Sequence, residues 1–192
     1  MKLPHWLAVT AVLVTVGIAQ AQDEPKPLRI DKNHSTIGFV VPIVGDLSEV
    51  TGKFLDFDIQ IVWDDDPTKS SVATTIQVAS VDTGIDDRDN DLRSPSFFDV
   101  AKYPTITFES DKIERSEANY VAHGTLTIKG VSKEVDLPFR VVERDQEDGG
   151  KWYAFQIEYV FDRTDYGITW KHSIVPFFVG DEITTKLFVI TR

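Results

Sequence analysis

The chain of 192 residues contains no cysteine and only four histidines. Without cysteine it can form no disulfide bond, carry no lipoprotein-type lipid anchor and offer no thiol nucleophile, so an exported form would depend on its own hydrophobic core. No two histidines have the spacing of zinc ligands, and the G-x-S-x-G motif of serine hydrolases is absent. These absences argue against a metal site and give little support to catalysis.

Positive charge is also scarce. The 20 lysines and arginines are outnumbered by 31 aspartates and glutamates, which leaves a net charge of −11. An acidic surface repels nucleic acid and anionic lipid headgroups. The charge therefore argues against nucleic acid as a partner, whereas it is compatible with a neutral apolar ligand.

Long apolar runs are missing except near the N terminus, at residues 6–19. This run follows Lys2, and the small residues of AQA at 19–21 fit signal peptidase. The alternative, an uncleaved membrane anchor, would need about 20 apolar residues. We expect export and no membrane-spanning segment after cleavage. The expected organisation is a signal peptide at 1–21, a mobile N-terminal arm at 22–27 and one domain at 28–192.

The rest of the chain is dominated by strands in which apolar and polar residues alternate. The alternating segments are residues 35–41, 52–63, 71–80, 105–113, 119–130, 134–142, 151–161 and 181–191. Because short turns join most of them, the sequence predicts an all-β, eight-stranded antiparallel meander that closes into a barrel and so removes exposed edges. A two-sheet sandwich has the same alternation and remains an alternative.

One segment, residues 81–104, lacks this alternation. Asp86 and Asp87 favour a helix N terminus and Pro95 limits the helix, so we expect a short helix over roughly Asp86 to Arg93 and an ordered loop after it. The aspartates do not form an EF-hand: counted from Asp87, a leucine replaces the required glycine and a phenylalanine occupies the twelfth position. A solvated helix start with an interaction between Arg88 and a neighbouring aspartate explains them better.

The inner face of the predicted strands carries many large side chains. Its aromatic members are Phe39, Phe57, Phe108, Phe139, Phe155 and Tyr159. An eight-stranded barrel is either just filled by its side chains or holds one small ligand. The sequence alone is compatible with both a packed core and a hollow lumen.

Six segments, in order along the chain, resemble the YceI-like family of exported lipid-binding proteins. They are IDKNHSTIGFVV, SEVTGKFLDFD, SVDTGIDDRDNDLRSPSFFDVAKYPTITFES, GTLTIKGVSKEVDLPF, FDRTDYGI and VGDEI. The resemblance implies a lipocalin-like barrel around an elongated apolar lumen. It further implies an isoprenoid-type lipid as ligand, a polyisoprenoid or isoprenoid quinone, with a periplasmic location and a link to stress responses. No cofactor other than this bound lipid is expected.

We expect the lipid to contact the inner face of the barrel. The candidate contacts are Ile37, Phe39, Phe57, Ile76, Val78, Phe97, Phe98, Phe108, Leu126, Phe155, Ile157, Tyr159, Tyr166 and Trp170. Phe97 and Phe98 are expected to close or line one end of the lumen, as a plug or as a gate.

Three polar residues are candidates for contact with the lipid headgroup: His34, Asp91 and Arg163. His34 has a simpler interpretation as a strand-start histidine that bonds the local backbone. Relatives often carry histidine where this chain has Asp91, so the headgroup preference stays open. Arg163 is expected to pair with Asp162 or Asp165 at a corner, with Gly167 at positive φ.

Two other functions remain as alternatives. One is an enzyme that acts on a small apolar substrate inside the same barrel, which would need a base beside a polar group in the wall. The other is a filled barrel that serves as a scaffold or stress-associated interaction protein. Phe188 and Ile190, which point outward by parity, could form the face of a homodimer.

Overall fold

The computed structural model describes residues 26–117, 119–147 and 149–192. The predicted signal peptide, and residues 22–25 of the predicted arm, lie outside these ranges. Within them, no helix is long and apolar enough to span a bilayer.

Ten strands and one α-helix are present in the described part of the chain. The strands are β1 Thr36–Ile43, β2 Ser48–Phe54, β3 Phe57–Val62, β4 Ser71–Gln77, β5 Val81–Asp82, β6 Thr105–Ser116, β7 Asn119–Ile128, β8 Val131–Asp145, β9 Lys151–Asp162 and β10 Glu182–Ile190. The helix α1 covers Asp86–Arg93, the residues that the sequence predicts. Short 3-10 turns occupy Lys32–His34, Pro67–Lys69, Val78–Ser80 and Arg163–Tyr166.

All neighbouring strands are antiparallel, in the order β3-β4-β6-β7-β8-β9-β10-β1-β2-β5. The two ends of this curled sheet meet. Leu55 N donates to Ser80 O at 3.1 Å, and Gln77 N donates to Asp56 O at 2.9 Å. The all-β barrel predicted from the sequence is confirmed, and the two-sheet sandwich is not observed.

The strand count is ten instead of eight for two reasons. The predicted strand 52–63 divides into β2 and β3 at a bend, and a short strand, β5, follows β4 after the 3-10 turn Val78–Ser80, in the segment 81–104 for which no strand is predicted. At the bend the Ser80 hydroxyl accepts hydrogen bonds from Leu55 N at 3.1 Å and Asp56 N at 2.9 Å. At this bend the Ser80 side chain takes the place of main-chain hydrogen bonds between the strands. The two segments therefore stay paired across the bend.

Because the strands are antiparallel, their turns alternate between two ends of the barrel. The end that we call the helix end contains α1, the turn between β1 and β2, and residues 163–181. The opposite end, which we call the tryptophan end, contains the segment from Trp63 to Ser70 and the turn between β8 and β9. The two ends differ in what covers them, and this difference defines the site.

Helix α1 is fixed to the barrel through a buried carboxylate. Asp89 is buried and accepts hydrogen bonds from the Thr83 backbone N–H and hydroxyl, at 2.9 and 2.5 Å. Arg88 contacts Thr83 instead of the expected aspartate, donating to its hydroxyl and its carbonyl, each at 2.8 Å. The sequence predicts an aspartate as the partner of Arg88, and the structure shows Thr83 in that role. The reason is that the first turn of the helix packs against Thr83.

Candidate functional site

The barrel encloses a cavity of about 230 Å³ that nearly every strand helps to line. Most of the lining side chains are aliphatic or aromatic, and the main polar ones are Thr74, Tyr159, Arg163 and Thr185. The interior is therefore partly hollow and not completely filled by side chains. A dry apolar cavity with a few polar groups is the usual form of a site for an apolar ligand.

Most of the predicted contact residues surround this one cavity. The predicted residues in its wall are Ile37, Phe39, Ile76, Phe97, Phe98, Phe108, Leu126, Phe155, Ile157, Tyr159 and Arg163. They come from five strands, from the loop after α1 and from the turn after β9. The alternation of the strands explains this convergence, because residues two apart in a strand share a face. Their contact with a ligand stays a prediction.

Four predicted apolar contacts lie outside the cavity wall. Phe57 and Val78 are buried in the core at the bend, where the change of strand direction turns them away from the lumen. Tyr166 is almost fully buried, packs edge-on against the Phe161 ring at 5.4 Å, and burial raises its pKa to about 12. Trp170 lies one layer behind the wall, with its ring centroid 5.3 Å from that of Phe97.

Two of the predicted headgroup contacts also lie outside the wall. His34 is exposed, and its Nδ1 lies 3.0 Å from Asp31 Oδ2 across the 3-10 turn. Asp31 is thereby held with a lowered pKa, chiefly through this hydrogen bond. Asp91 is exposed on the outer face of α1. Only the third candidate, Arg163, reaches the cavity.

Arg163 is buried and binds the segment that follows it. Its Nη1 donates to Ile168 O at 2.7 Å, its Nε donates to Gly180 O at 2.9 Å, and its Nη2 pairs with Asp181 Oδ1 at 2.7 Å. The guanidinium thus ties both ends of segment 168–181 to the end of β9. A buried cation needs such partners, since an unpaired charge in the interior is very costly.

The predicted partners of Arg163 have other roles. Asp162 caps the turn by accepting from the Thr164 N–H at 2.8 Å and hydroxyl at 2.6 Å, which lowers the pKa of Asp162. Asp165 pairs with Lys133 at 3.1 Å. The expected ion pair is wrong because a tight turn directs these side chains away from Arg163. Gly167 has φ +72°, as predicted.

An aromatic cluster around Trp63 closes the tryptophan end. The Trp63 ring centroid lies 5.1 Å from Tyr120, 5.5 Å from Phe155, 6.1 Å from Phe139 and 6.4 Å from Tyr153. Most of these contacts are edge-to-face, a favourable arrangement for aromatic pairs. Trp63 was not among the predicted site residues, although it continues the two-residue period of Phe57, Ile59 and Ile61.

The helix end is covered by α1 and the aromatic residues after it. Phe98 packs edge-on against Phe54 at 6.2 Å, and Phe54 contacts Phe39 at 5.6 Å. Phe97 packs on Trp170 at 5.3 Å. Phe97 and Phe98 are both half-buried, so part of each ring is exposed to the lumen or to solvent.

The outer wall carries a histidine between two carboxylates. His123 Nδ1 lies 2.6 Å from Asp136 Oδ1, and its Nε2 lies 3.1 Å from Glu114 Oε1. These hydrogen bonds, the one to Asp136 above all, raise the pKa of His123. The cluster faces away from the cavity. Across the described ranges, no three histidine or carboxylate side chains are placed to hold a metal ion.

Comparison with known proteins finds one family that matches most of the chain. A family model described as a YceI-like domain matches residues 28–189. UPF0312 proteins from Serratia proteamaculans and Yersinia pestis are each 35% identical over 167 residues, covering 85% of this chain and 84% of theirs.

Solved structures show the same fold. BcnA from Burkholderia cenocepacia has 25% identity and a TM-score of 0.77, over 85% of this chain and 99% of that one. The YCEI protein of Campylobacter jejuni has 31% identity and a TM-score of 0.68, over 76% and 85%. A polyisoprenoid-binding domain from Saccharophagus degradans, implicated in plant cell wall breakdown, shares the fold at 16% identity and a TM-score of 0.62, over 84% and 95%. On the family match and the 35% identity of its relatives, the chain belongs to the YceI-like family.

Proposed function

We propose that this protein binds a long apolar isoprenoid-type lipid, a polyisoprenoid or an isoprenoid quinone, inside the barrel. The observation that carries the proposal is the enclosed cavity with its almost entirely apolar wall. Membership of the YceI-like family supports it. So does the shared fold with the Saccharophagus degradans domain, which is itself described as polyisoprenoid-binding.

The cavity provides apolar contact over a limited volume. At about 230 Å³ it lies just below the range of about 300–1,000 Å³ that is typical of small-molecule sites. Each 100 Å² of isoprenoid surface that leaves water there contributes about 2.5 kcal/mol, at roughly 25 cal/mol per Å².

We propose that the headgroup lies at the helix end, near Arg163, with the chain directed toward Trp63. A guanidinium has five N–H donors. In Arg163 they serve four acceptors, and the contact with Val179 O is long, at 3.4 Å. This leaves donor capacity for a carbonyl or phosphate oxygen at the cavity wall, whereas the tryptophan end presents mostly ring surface.

We propose that the protein binds its ligand and catalyses no reaction, because the cavity wall offers mainly apolar surface. Two of its polar side chains already have partners in the fold: the Thr185 hydroxyl donates to Tyr159 O at 3.0 Å, and Arg163 donates to carbonyl oxygens and to Asp181. The wall therefore provides shape and apolar contact. We further propose that the protein carries or stores its lipid in the periplasm and that this role includes stress responses. The signal peptide predicted at residues 1–21 is the sequence feature that supports export.

The test of ligand identity is extraction. The mature protein is purified from a bacterial host, extracted with organic solvent and analysed by mass spectrometry, and we expect one isoprenoid at reproducible, near-equal stoichiometry. An extract that contains no isoprenoid would overturn the proposal. Fractionation of cells that express the full chain tests the periplasmic location.

A lumen-filling variant provides the matched control. Leu126 lies in the wall opposite Phe108, so Leu126→Trp should fill the lumen and remove the lipid while circular dichroism still reports a β-barrel. The same enlargement at Val160, which is exposed on β9, should leave the lipid in place. Equal retention by both variants would show that the lipid does not occupy the cavity.

A further inference from the structure

Four large apolar side chains are exposed together at the helix end. Leu47 is 85% exposed, Ile174 83%, Phe177 65% and Phe178 37%. We call these four residues the mouth patch. Proteins that work alone in water rarely expose contiguous apolar surface, and such patches mark interaction sites for proteins or membranes.

The mouth patch is held on a fixed backbone frame. The turn between β1 and β2 is bonded to segment 168–181: Val44 N donates to Phe178 O at 2.9 Å, and Gly180 N donates to Pro42 O at 2.8 Å. Phe177 packs over Gly45, with a ring carbon 3.8 Å from the position of a Cβ there. The apolar side chains therefore stand out from a bonded corner of the barrel.

The patch is continuous with the cavity through a row of rings. Phe97, in the cavity wall, contacts Trp170 at 5.3 Å, and Trp170 contacts His172 at 6.2 Å. His172 in turn contacts Phe178 at 5.3 Å. Since the Trp63 cluster closes the opposite end, this row joins the lumen to the surface at the end where a ligand would pass.

Charge indicates which surface the patch fits. Asp46 and Asp181 lie beside it together with Lys171 and His172, so its own charge is mixed. The chain as a whole has a net charge of −11, which opposes approach to anionic headgroups. A membrane surface without net charge is the partner that accepts exposed leucine, isoleucine and phenylalanine without this repulsion.

We propose that the mouth patch inserts into the surface of a zwitterionic phospholipid bilayer, and that lipid passes between the bilayer and the cavity at this contact. The inference rests on the proposed function, because an isoprenoid lipid resides in bilayers and must be collected there. Insertion of apolar side chains provides the affinity, and the row from Phe178 to Phe97 provides a shielded path.

The test compares two double variants on phosphatidylcholine vesicles. Ile174→Ser with Phe177→Ser should lower vesicle binding, measured by co-sedimentation, by at least about tenfold, since two large apolar groups no longer leave water. It should slow uptake of an isoprenoid quinone from the vesicles by a similar factor. The amount of quinone bound at equilibrium should not change, because neither residue lines the cavity.

The control removes two exposed apolar groups elsewhere. Leu55→Ser with Val142→Ser alters side chains that are 61% and 43% exposed, away from the patch, and should leave both readouts unchanged. Wild-type protein that does not bind the vesicles, or a patch variant that binds them equally well, overturns the inference. So does a patch variant that converts a dimer to a monomer with vesicle binding unchanged. Vesicle binding through the patch by a protein whose extract holds no isoprenoid would refute the proposed ligand and leave the docking surface intact.

Discussion

Replacing Trp63 with alanine should lengthen the lumen at its closed end. Trp63 lies at the centre of the cluster with Tyr120, Phe139, Tyr153 and Phe155, and its own ring forms part of the cavity wall. Removing the ring opens space beyond the present end of the cavity. We expect the isoprenoids extracted from the variant to shift toward longer chains, as measured by mass spectrometry against wild-type protein from the same host.

The same change should lower stability by a calculable amount. A large aromatic side chain buries about 150–250 Å², which at roughly 25 cal/mol per Å² is worth about 4–6 kcal/mol. Trp63 is half-buried, so we expect a loss near the lower end of the range for large aromatic truncations, about 3 kcal/mol. For a domain of this size that corresponds to a fall in Tm of about 6–12 °C. Calorimetry on lipid-free protein measures it.

Trp170→Ala is the matched control, because it removes the same side chain at the opposite end. Trp170 packs behind Phe97 and does not line the cavity, so its loss should leave the chain-length distribution unchanged. An unaltered distribution in the folded Trp63 variant would refute the idea that this ring limits ligand length. An equal shift in both variants would refute it too, because the effect would then come from general loosening of the barrel.

Three further changes test other parts of the site. In Gly52→Val the new side chain overlaps the end of the Phe39 ring, which lies over that glycine. The ring should move into the lumen and lower lipid affinity about tenfold, measured by quinone titration, a loss of roughly 1.4 kcal/mol; unchanged affinity would contradict this contact between the ring and the glycine. Arg163→Met should leave carbonyl groups unpaired and cost about 1–3 kcal/mol in urea unfolding, with faster hydrogen exchange confined at first to 168–181. His123→Gln should remove a pH dependence: the raised pKa of His123 stabilises the fold fully below the unfolded value of about 6.5, and the stabilisation is lost as pH rises through the folded value. Tm profiles of wild type and variant between pH 5 and 9 should therefore converge at high pH, and parallel profiles would contradict this.

Much of the barrel could be predicted because strand alternation is a local signal. Residues two apart share a face, so Ile59 and Ile61, or Phe155 and Ile157, identify the interior without knowledge of the partners. Helix α1 was equally accessible, since aspartates at its start and Pro95 after its end act through neighbouring backbone. The YceI-like resemblance added the family, and the family match confirms it.

What the sequence did not reveal depends on contacts between distant residues. The bend at Leu55 is visible only as a phase shift between Phe54 and Phe57, and its cause, Ser80, lies 25 residues away. The partner of Arg163 is Asp181, 18 residues away, whereas the sequence favours adjacent carboxylates. Local charge patterns cannot show such pairing, because it depends on how the chain returns to the barrel.

Phe97 and Phe98 are adjacent in the chain, but their contacts assign them to different parts of the molecule. Phe98 N donates to Leu92 O at 3.0 Å, and its ring packs on buried Phe54, so it belongs to the fixed wall. Phe97 packs on Trp170 instead, in the row of rings that leads to the exposed loop. Both rings pack against the core, and Phe97 adds the contact with Trp170. The connection therefore links the cavity wall to the row of rings that ends at the mouth patch, where we propose that lipid enters and leaves.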